Sequence, residues 1–289
     1  MKANYVLFQG GLGNQLYQLA YTDFLKRNGY SNVKLITPSN KNKGDTKDKN
    51  KRPLITQLPE KIGIDCVDFG HKYFYSFLQR LPKFPLYKSF LRRLINVEKE
   101  PPYQWAIFHP ITREKYRLNI HIGYYQSNLY ISDSFKQQVA KVIESLSPNI
   151  KFPITNNDVA IHIRRGDFLI GNNASVFNKI ELPHYLQGLT ILSERMNIQK
   201  VYIFSDDFEA IKEDIKTITE NYEVVLVEGQ SVLADFALLQ KFTNFVIGNS
   251  TFAWWGAMLA DASNVIVPKK PWKIEMENMS PYPDNWTTI

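Results

Sequence analysis

The chain predicts an α/β protein of Rossmann-like units, with parallel strands separated by helical crossovers. Three observations predict it. Apolar runs ending near Ile163, Phe204, Val227, Ile247 and Val267 alternate with segments long enough for a helix, the pattern of a parallel βαβ sheet. At the front, the strand-like run Tyr5-Val6-Leu7-Phe8-Gln9 meets the turn Gly10-Gly11-Leu12-Gly13 and then a helix. With 44% hydrophobic residues, 289 residues can fill two cores of ordinary size. The expected division is a first Rossmann-like domain over residues 1–150 and a second over 151–289, with 148–157 as the linker.

In chain order, the first helix places Leu16, Leu19, Ala20 and Phe24 on one face. Residues 32–37 read as a second strand, and the polar, lysine-rich residues 38–52 as a solvated insertion. Residues 72–117 are aromatic and basic and hold five prolines; a helix over 86–95 is the one element assigned there. A strand follows over 120–125, then an amphipathic helix over 134–146. Ser134 and Gln137 form its expected capping box, and Phe135, Val139, Val142, Ile143 and Leu146 its stripe.

A net charge of +7 suits an anionic ligand or surface: a nucleotide diphosphate, nucleic acid or acidic lipid. Cys66 is the single cysteine, which excludes an intrachain disulfide and a cysteine-based zinc site. The N-terminal apolar run is too short for a signal peptide and no later run approaches 18 apolar residues, so a cytoplasmic location is expected. Residues 82–93 mix leucine and phenylalanine with lysine and arginine, a composition that suits peripheral contact with an anionic membrane as well as an ordinary basic surface.

The chemistry gathers at three strand ends. His162-Ile163-Arg164-Arg165-Gly166-Asp167 follows Val159-Ala160-Ile161; strand alternation puts His162 and Arg164 on one face, with Arg165 on the other or in the turn. Ligands of α/β sheets bind at carboxyl ends of strands, where a guanidinium can grip a diphosphate. Ser205-Asp206-Asp207 ends a second run, and its carboxylates either bind a guanine edge or cap the next helix. Gly248-Asn249-Ser250-Thr251 ends a third, at the start of a helix whose N–H groups favour phosphate. Trp254 and Trp255 read as core in preference to sugar-stacking platforms, and His162 as either a core histidine or a ligand. His109, His121 and His184 show no metal-ligand spacing. The front turn lacks the third glycine and the later acidic residue of a dinucleotide fingerprint, and also the Gly-Lys-Ser/Thr ending of a P-loop.

Together these residues resemble the alpha-1,2-fucosyltransferases of glycosyltransferase family eleven. The similarity rests on Gly10-Gly11-Leu12-Gly13-Asn14-Gln15-Leu16, His162-Ile163-Arg164-Arg165-Gly166-Asp167, Phe204-Ser205-Asp206-Asp207 and Asn249-Ser250-Thr251-Phe252-Ala253-Trp254-Trp255-Gly256. Gly123-Tyr124-Tyr125-Gln126-Ser127 and Tyr282-Pro283-Asp284-Asn285-Trp286 extend it, and Phe168 and Ala253 depart from it.

The resemblance implies a GT-B architecture, two Rossmann-like domains facing across a cleft, with GDP-fucose on the second and a galactoside acceptor mainly on the first. It implies inverting transfer of L-fucose to the 2-hydroxyl of a terminal galactose, on an oligosaccharide or a lipid-linked glycan, with no metal and no other cofactor. Arg164 would hold the β-phosphate. His162, Arg165, Asp206, Asp207, Asn249, Ser250, Thr251 and Phe252 would complete the donor site, and Gly11, Gly13, Asn14 and Gln15 the acceptor side. Asp167 and Asp23 are candidate bases, with Asp167 alternatively an ion-pair partner of Arg165, and a dissociative mechanism needing neither. The competing readings are a fucosyltransferase of alpha-1,6 linkage and a non-catalytic binder of sugar nucleotides or anionic polymers. Nucleic acid is not an expected partner, because the arginines cluster at one strand end rather than along a groove-sized stripe.

Overall fold

A computed structural model describes residues 2–37, 57–68, 77–78, 80–84, 94–110, 116–146, 152–166, 173–274, 279 and 281–289. The chain divides into two units, Met1–Gln138 with Asn278–Pro281, and Val139–Glu277 with Tyr282–Ile289. Each is built on a parallel sheet, so the α/β expectation holds twice over, as the two Rossmann-like units of the GT-B class require.

The first unit contains β1 (Ala3–Leu7), α1 (Leu12–Arg27), β2 (Val33–Thr37), α2 (Leu58–Lys61), β3 (Cys66–Asp68), β4 (Ile95–Lys99) and β5 (Leu118–Ile122). The strand order is β3-β2-β1-β5-β4. Val6 stands between Leu35 and His121 in register. Leu7, Ile36, Ile120 and Ile122 form a core cluster under this sheet. The helix expected over 86–95 does not extend to its end. Ile95 opens β4, because Ile95 and Val97 alternate onto the cluster of β5 in a period of two; the preceding residues 86–93 lie outside the described ones. β5 is also shorter than expected. The backbone turns out of the sheet after Ile122, and Tyr125 adopts the left-handed conformation at φ 54°.

The amphipathic helix α3 (Asp133–Leu146) follows, with Phe135, Val139 and Ile143 buried. Its N-cap is Ser132 rather than Ser134: the Ser132 hydroxyl accepts from the Phe135 N–H at 3.2 Å, the three-residue reach that capping requires. The boundary between units falls inside this helix.

The second unit contains β6 (Val159–Ile163), α4 (Asn173–Val176), α5 (Leu182–Arg195), β7 (Val201–Ser205), α6 (Lys212–Thr219), β8 (Val224–Leu226), α7 (Val232–Leu239), β9 (Asn244–Ile247), α8 (Thr251–Leu259), β10 (Asn264–Val267) and β11 (Thr287–Thr288). Its order is β11-β10-β9-β6-β7-β8, with every pairing parallel. Counted from β6, this is the doubly wound 3-2-1-4-5-6 arrangement, whose switch point lies between β6 and β9. All five residues of β6 are buried, which explains its unbroken apolar run. Gly188 lies against Val246, where an added Cβ would collide with the valine side chain, so α5 packs close to β9. Among the described residues, no helix is long and apolar enough to cross a membrane.

Candidate active site

The switch point of the second sheet brings the three polar strand ends together, because β6 lies between β7 and β9. After Ile163 the chain leaves the sheet, and the Asp206 carboxylate at the end of β7 receives it. Asp206 Oδ1 accepts from the Arg165 N–H at 2.8 Å and Oδ2 from the Gly166 N–H at 3.0 Å. The Arg164 Nε lies 3.2 Å from the same Oδ2. A side chain at Gly166 would collide with that oxygen, so only glycine lets the loop rest on the carboxylate. One aspartate thus fixes the backbone of this loop and forms an ion pair with the guanidinium it presents.

Arg165, past the end of β6, turns its side chain inward. Its side chain is 3% exposed; Nη1 donates to Ile180 O at 2.9 Å and Nη2 to Asp214 Oδ2 at 3.0 Å. The guanidinium is thus hydrogen-bonded on both sides, and its pairing with the half-buried Asp214 anchors the loop to α6. Among the described residues its carboxylate partner is Asp214, and the guanidinium lies in the interior. Asp167 lies outside the described residues.

His162 is 4% exposed, with its ring centroid 5.6 Å from that of Phe252. Burial, then the Arg164 charge, pushes its pKa down to about 4, so the ring is neutral at neutral pH. Its carbonyl accepts from Tyr185 OH at 3.3 Å. Asp207 serves the turn that follows: its Oδ1 accepts from the Ala210 N–H at 3.1 Å, while its own N–H donates to Ser205 Oγ. Asn249 ties two loops together, donating to Asn178 O at 2.8 Å and Pro271 O at 2.7 Å. Ser250 is the N-cap residue of α8, yet its side chain makes no capping hydrogen bond, which leaves the helix start without a side-chain acceptor there. Thr251 and Phe252 open the helix half-buried. Trp254 and Trp255 are core, at 4% and 0% exposure.

Three residues of this region were not singled out in the sequence. Tyr185 supports the β6 end, and Asp214 holds Arg165. Asp235 on α7 is a carboxylate pushed up to about 6 by burial, with its Oδ1 unpartnered among the described residues. Phe236, its neighbour, packs 5.1 Å from Phe252. The signal for Asp235 was a lone charge within Val232–Leu239, an otherwise apolar helix.

In the first unit, Gly11 is the N-cap of α1, followed by the half-buried Asn14 and the buried Gly13 and Gln15. Gln15 Nε2 donates to Gly10 O at 2.8 Å. Asp23 does not join this rim. It lies nine residues along α1 from Asn14, about 13 Å at 1.5 Å per residue, and its carboxylate is 2.6 Å from Arg27 Nε. Among the described residues, no group of three or more His, Cys, Asp or Glu side chains could hold a metal ion.

The sequence profile described as Glycosyl transferase family 11 matches residues 110–289. An alpha-1,2-colitosyltransferase of Escherichia coli is 26% identical, covering 97% of this chain and 96% of that protein. The O-antigen biosynthesis glycosyltransferase WbnK of Escherichia coli is 23% identical, covering 99% and 100%. Among solved structures, the fucosyltransferase NodZ from Bradyrhizobium aligns with a TM-score of 0.49 at 13% identity, covering 90% of this chain and 94% of that one. POFUT1 in complex with GDP aligns at 0.45 and 13%, covering 90% and 96%. With more than half its length matched by the profile, the chain belongs to glycosyl transferase family 11.

Proposed function

We propose that this glycosyltransferase moves L-fucose from GDP-fucose to the 2-hydroxyl of a terminal galactose, with inversion and without a metal ion. The observation that carries the reading is the arginine at the switch point of the second sheet, fastened by Asp206 beside the start of α8. Departure of a nucleotide diphosphate from a sugar leaves negative charge on the β-phosphate. Without a metal, that charge needs fixed cations and dipoles, here the Arg164 guanidinium and the N–H groups at the start of α8. Arg164 is set before substrate arrives, so little reorganisation accompanies bond breaking. His162, neutral and buried, and Phe252 shape the wall of the donor pocket. A loose, oxocarbenium-like transition state asks little of the attacking hydroxyl, and the mechanism proceeds without Asp23 as base.

The relative named alpha-1,2-colitosyltransferase favours a second reading, in which the sugar transferred is colitose and the linkage is the same. The test for both is one experiment. The purified protein is incubated in EDTA with GDP-fucose or GDP-colitose and lactose, GDP release is followed, and the product linkage is determined. A fucosylated product linked to the galactose 2-hydroxyl is expected. A product linked elsewhere, activity only with GDP-colitose, or activity abolished by EDTA each removes the corresponding part of the proposal.

A further inference from the structure

The first sheet has its own switch point between β1 and β5, and a built polar site lies at that carboxyl edge. Asn14 follows β1 in the first turn of α1, and Gln126 follows β5. Gln126 Nε2 donates to Asn14 Oδ1 at 2.8 Å. The Asn14 amide nitrogen and the Gln126 amide oxygen have no partner among the described residues, and both side chains are half-buried. Gly10, at φ +84°, is where the site's groups converge: a Cβ there would meet Asn14 Nδ2 at 2.9 Å and the Tyr124 ring at 3.2 Å.

Buried polar groups hold this arrangement. Gln18, fully buried, accepts from the Gln9 N–H at 2.8 Å and donates to Gly123 O at 2.9 Å. Glu100, just beyond β4, accepts from the Tyr124 N–H at 2.7 Å and the Tyr125 N–H at 3.0 Å, one on each oxygen. Gly123 has no room for a side chain, since a Cβ would lie 2.6 Å from Glu100 Cβ. These hydrogen bonds from distant elements brace the turn.

A free amide donor and a free amide acceptor side by side, next to an aromatic ring, match adjacent sugar hydroxyls and the C–H face of a pyranose. We propose that the Asn14–Gln126 pair and the Tyr124 ring are a saccharide subsite for the acceptor glycan, and that Glu100 is the positioning residue of its turn. The choice of a galactoside as ligand rests on the function proposed above; the subsite itself does not.

Burial also pushes Glu100 up to about 7. The groups around it are Glu98 in β4, Tyr21 from α1, and Tyr125 and Tyr130 after β5, the tyrosines all held neutral by burial. His121 in β5, lowered to about 4, is neutral as well, so its 3.4 Å approach to Glu98 is not an ion pair at neutral pH. Protonation turns one Glu100 oxygen into a hydroxyl, a much weaker acceptor, and one of the two N–H bonds is weakened. Acceptor affinity should then fall as pH drops below about 7.

Kinetics with GDP-fucose and lactose from pH 5.5 to 8.5 test this. Asn14→Ala and Gln126→Ala should each raise the lactose KM by about tenfold, the loss of one good hydrogen bond, with GDP affinity unchanged by calorimetry. Glu100→Gln should raise that KM at pH 8 and abolish the rise that the wild type shows below pH 7. A role in folding alone would lower Tm and GDP affinity together and leave the pH profile in place. An unaltered lactose KM in Gln126→Ala overturns the subsite, and a wild-type KM flat from pH 6 to 8 overturns the role of Glu100. If Glu100→Gln does not fold, hydrogen exchange at the Tyr124 and Tyr125 amides of the wild type replaces it. Protection that falls below pH 7 supports the positioning role; protection independent of pH overturns it. If the wild type shows no turnover, the reaction proposed above has failed, and the subsite is read by saturation-transfer NMR with galactose-ended oligosaccharides. A saccharide signal that disappears in Gln126→Ala supports the subsite; equal signals from both proteins, or no signal from the wild type, overturn it.

Discussion

Asp206→Asn removes half of the clamp under Arg164 while keeping its shape. In the wild type, one carboxylate accepts two backbone N–H bonds, at 2.8 and 3.0 Å, and lies 3.2 Å from the Arg164 Nε. The amide that replaces it has one oxygen and one NH2, so an NH2 must face either the Arg165 or the Gly166 N–H. One hydrogen bond is lost and the other becomes neutral. A bond to a charged group contributes about 1.5–3 kcal/mol, and the partly exposed ion pair adds less than about 1 kcal/mol. A net loss of roughly 2 kcal/mol in the fixed position of Arg164 corresponds to about thirtyfold in kcat/KM for the donor. The assay is steady-state kinetics with each substrate varied, alongside Tm. The expected result is a thirtyfold fall for GDP-fucose with the acceptor KM within twofold. Donor kcat/KM within threefold of wild type, with a lowered Tm, would falsify the clamp as part of catalysis and leave it a loop support.

Other perturbations follow from the same geometry. Arg164→Lys keeps the charge but loses the planar fork, and kcat should drop at least about tenfold, or 1.4 kcal/mol; near-normal turnover removes Arg164 from the chemistry. Gly248→Ala places a Cβ 2.8 Å from Tyr185 OH, which supports His162 O, and should cost about 1–3 kcal/mol in urea unfolding. Asp235 has a folded pKa raised from 3.8 to about 6, so its contribution to stability is present below pH 3.8 and lost as pH rises through 6. Asp235→Asn should therefore gain up to about 3 kcal/mol over wild type at pH 8 and little at pH 4, read in urea unfolding at the two pH values. His121 has the opposite sign: lowered from 6.5 to about 4, it costs stability as pH falls through that window. His121→Phe should lose about 3 kcal/mol less than wild type between pH 7 and pH 4 in urea titrations.

Much of this protein was legible in its residues alone. The apolar runs ending at Ile163, Phe204 and Ile247 are strands because parallel sheets are buried on both faces, and burial writes itself as an unbroken hydrophobic run. The three polar endings share one edge because parallel strands place all their carboxyl ends there; that they are neighbours depends on β6 lying between β7 and β9. The family followed from the same motifs. Less was legible where the signal was weak or distant. β4 hides within an aromatic, basic stretch, since Ile95 and Val97 supply only two apolar positions in alternation.

Partnership between side chains depended on folding. The sequence puts Arg164 and Arg165 side by side, yet one is held by Asp206 at the edge while the other is buried on Asp214, 49 residues away. Nothing local marks Glu100 as the support of a turn 24 residues later, or pairs Asn14 with Gln126 across 112 residues. Local periodicity encodes which face of an element is apolar, because that depends on neighbours in the chain. Which carboxylate meets which donor depends on strand order and register, and those arise when distant segments pack.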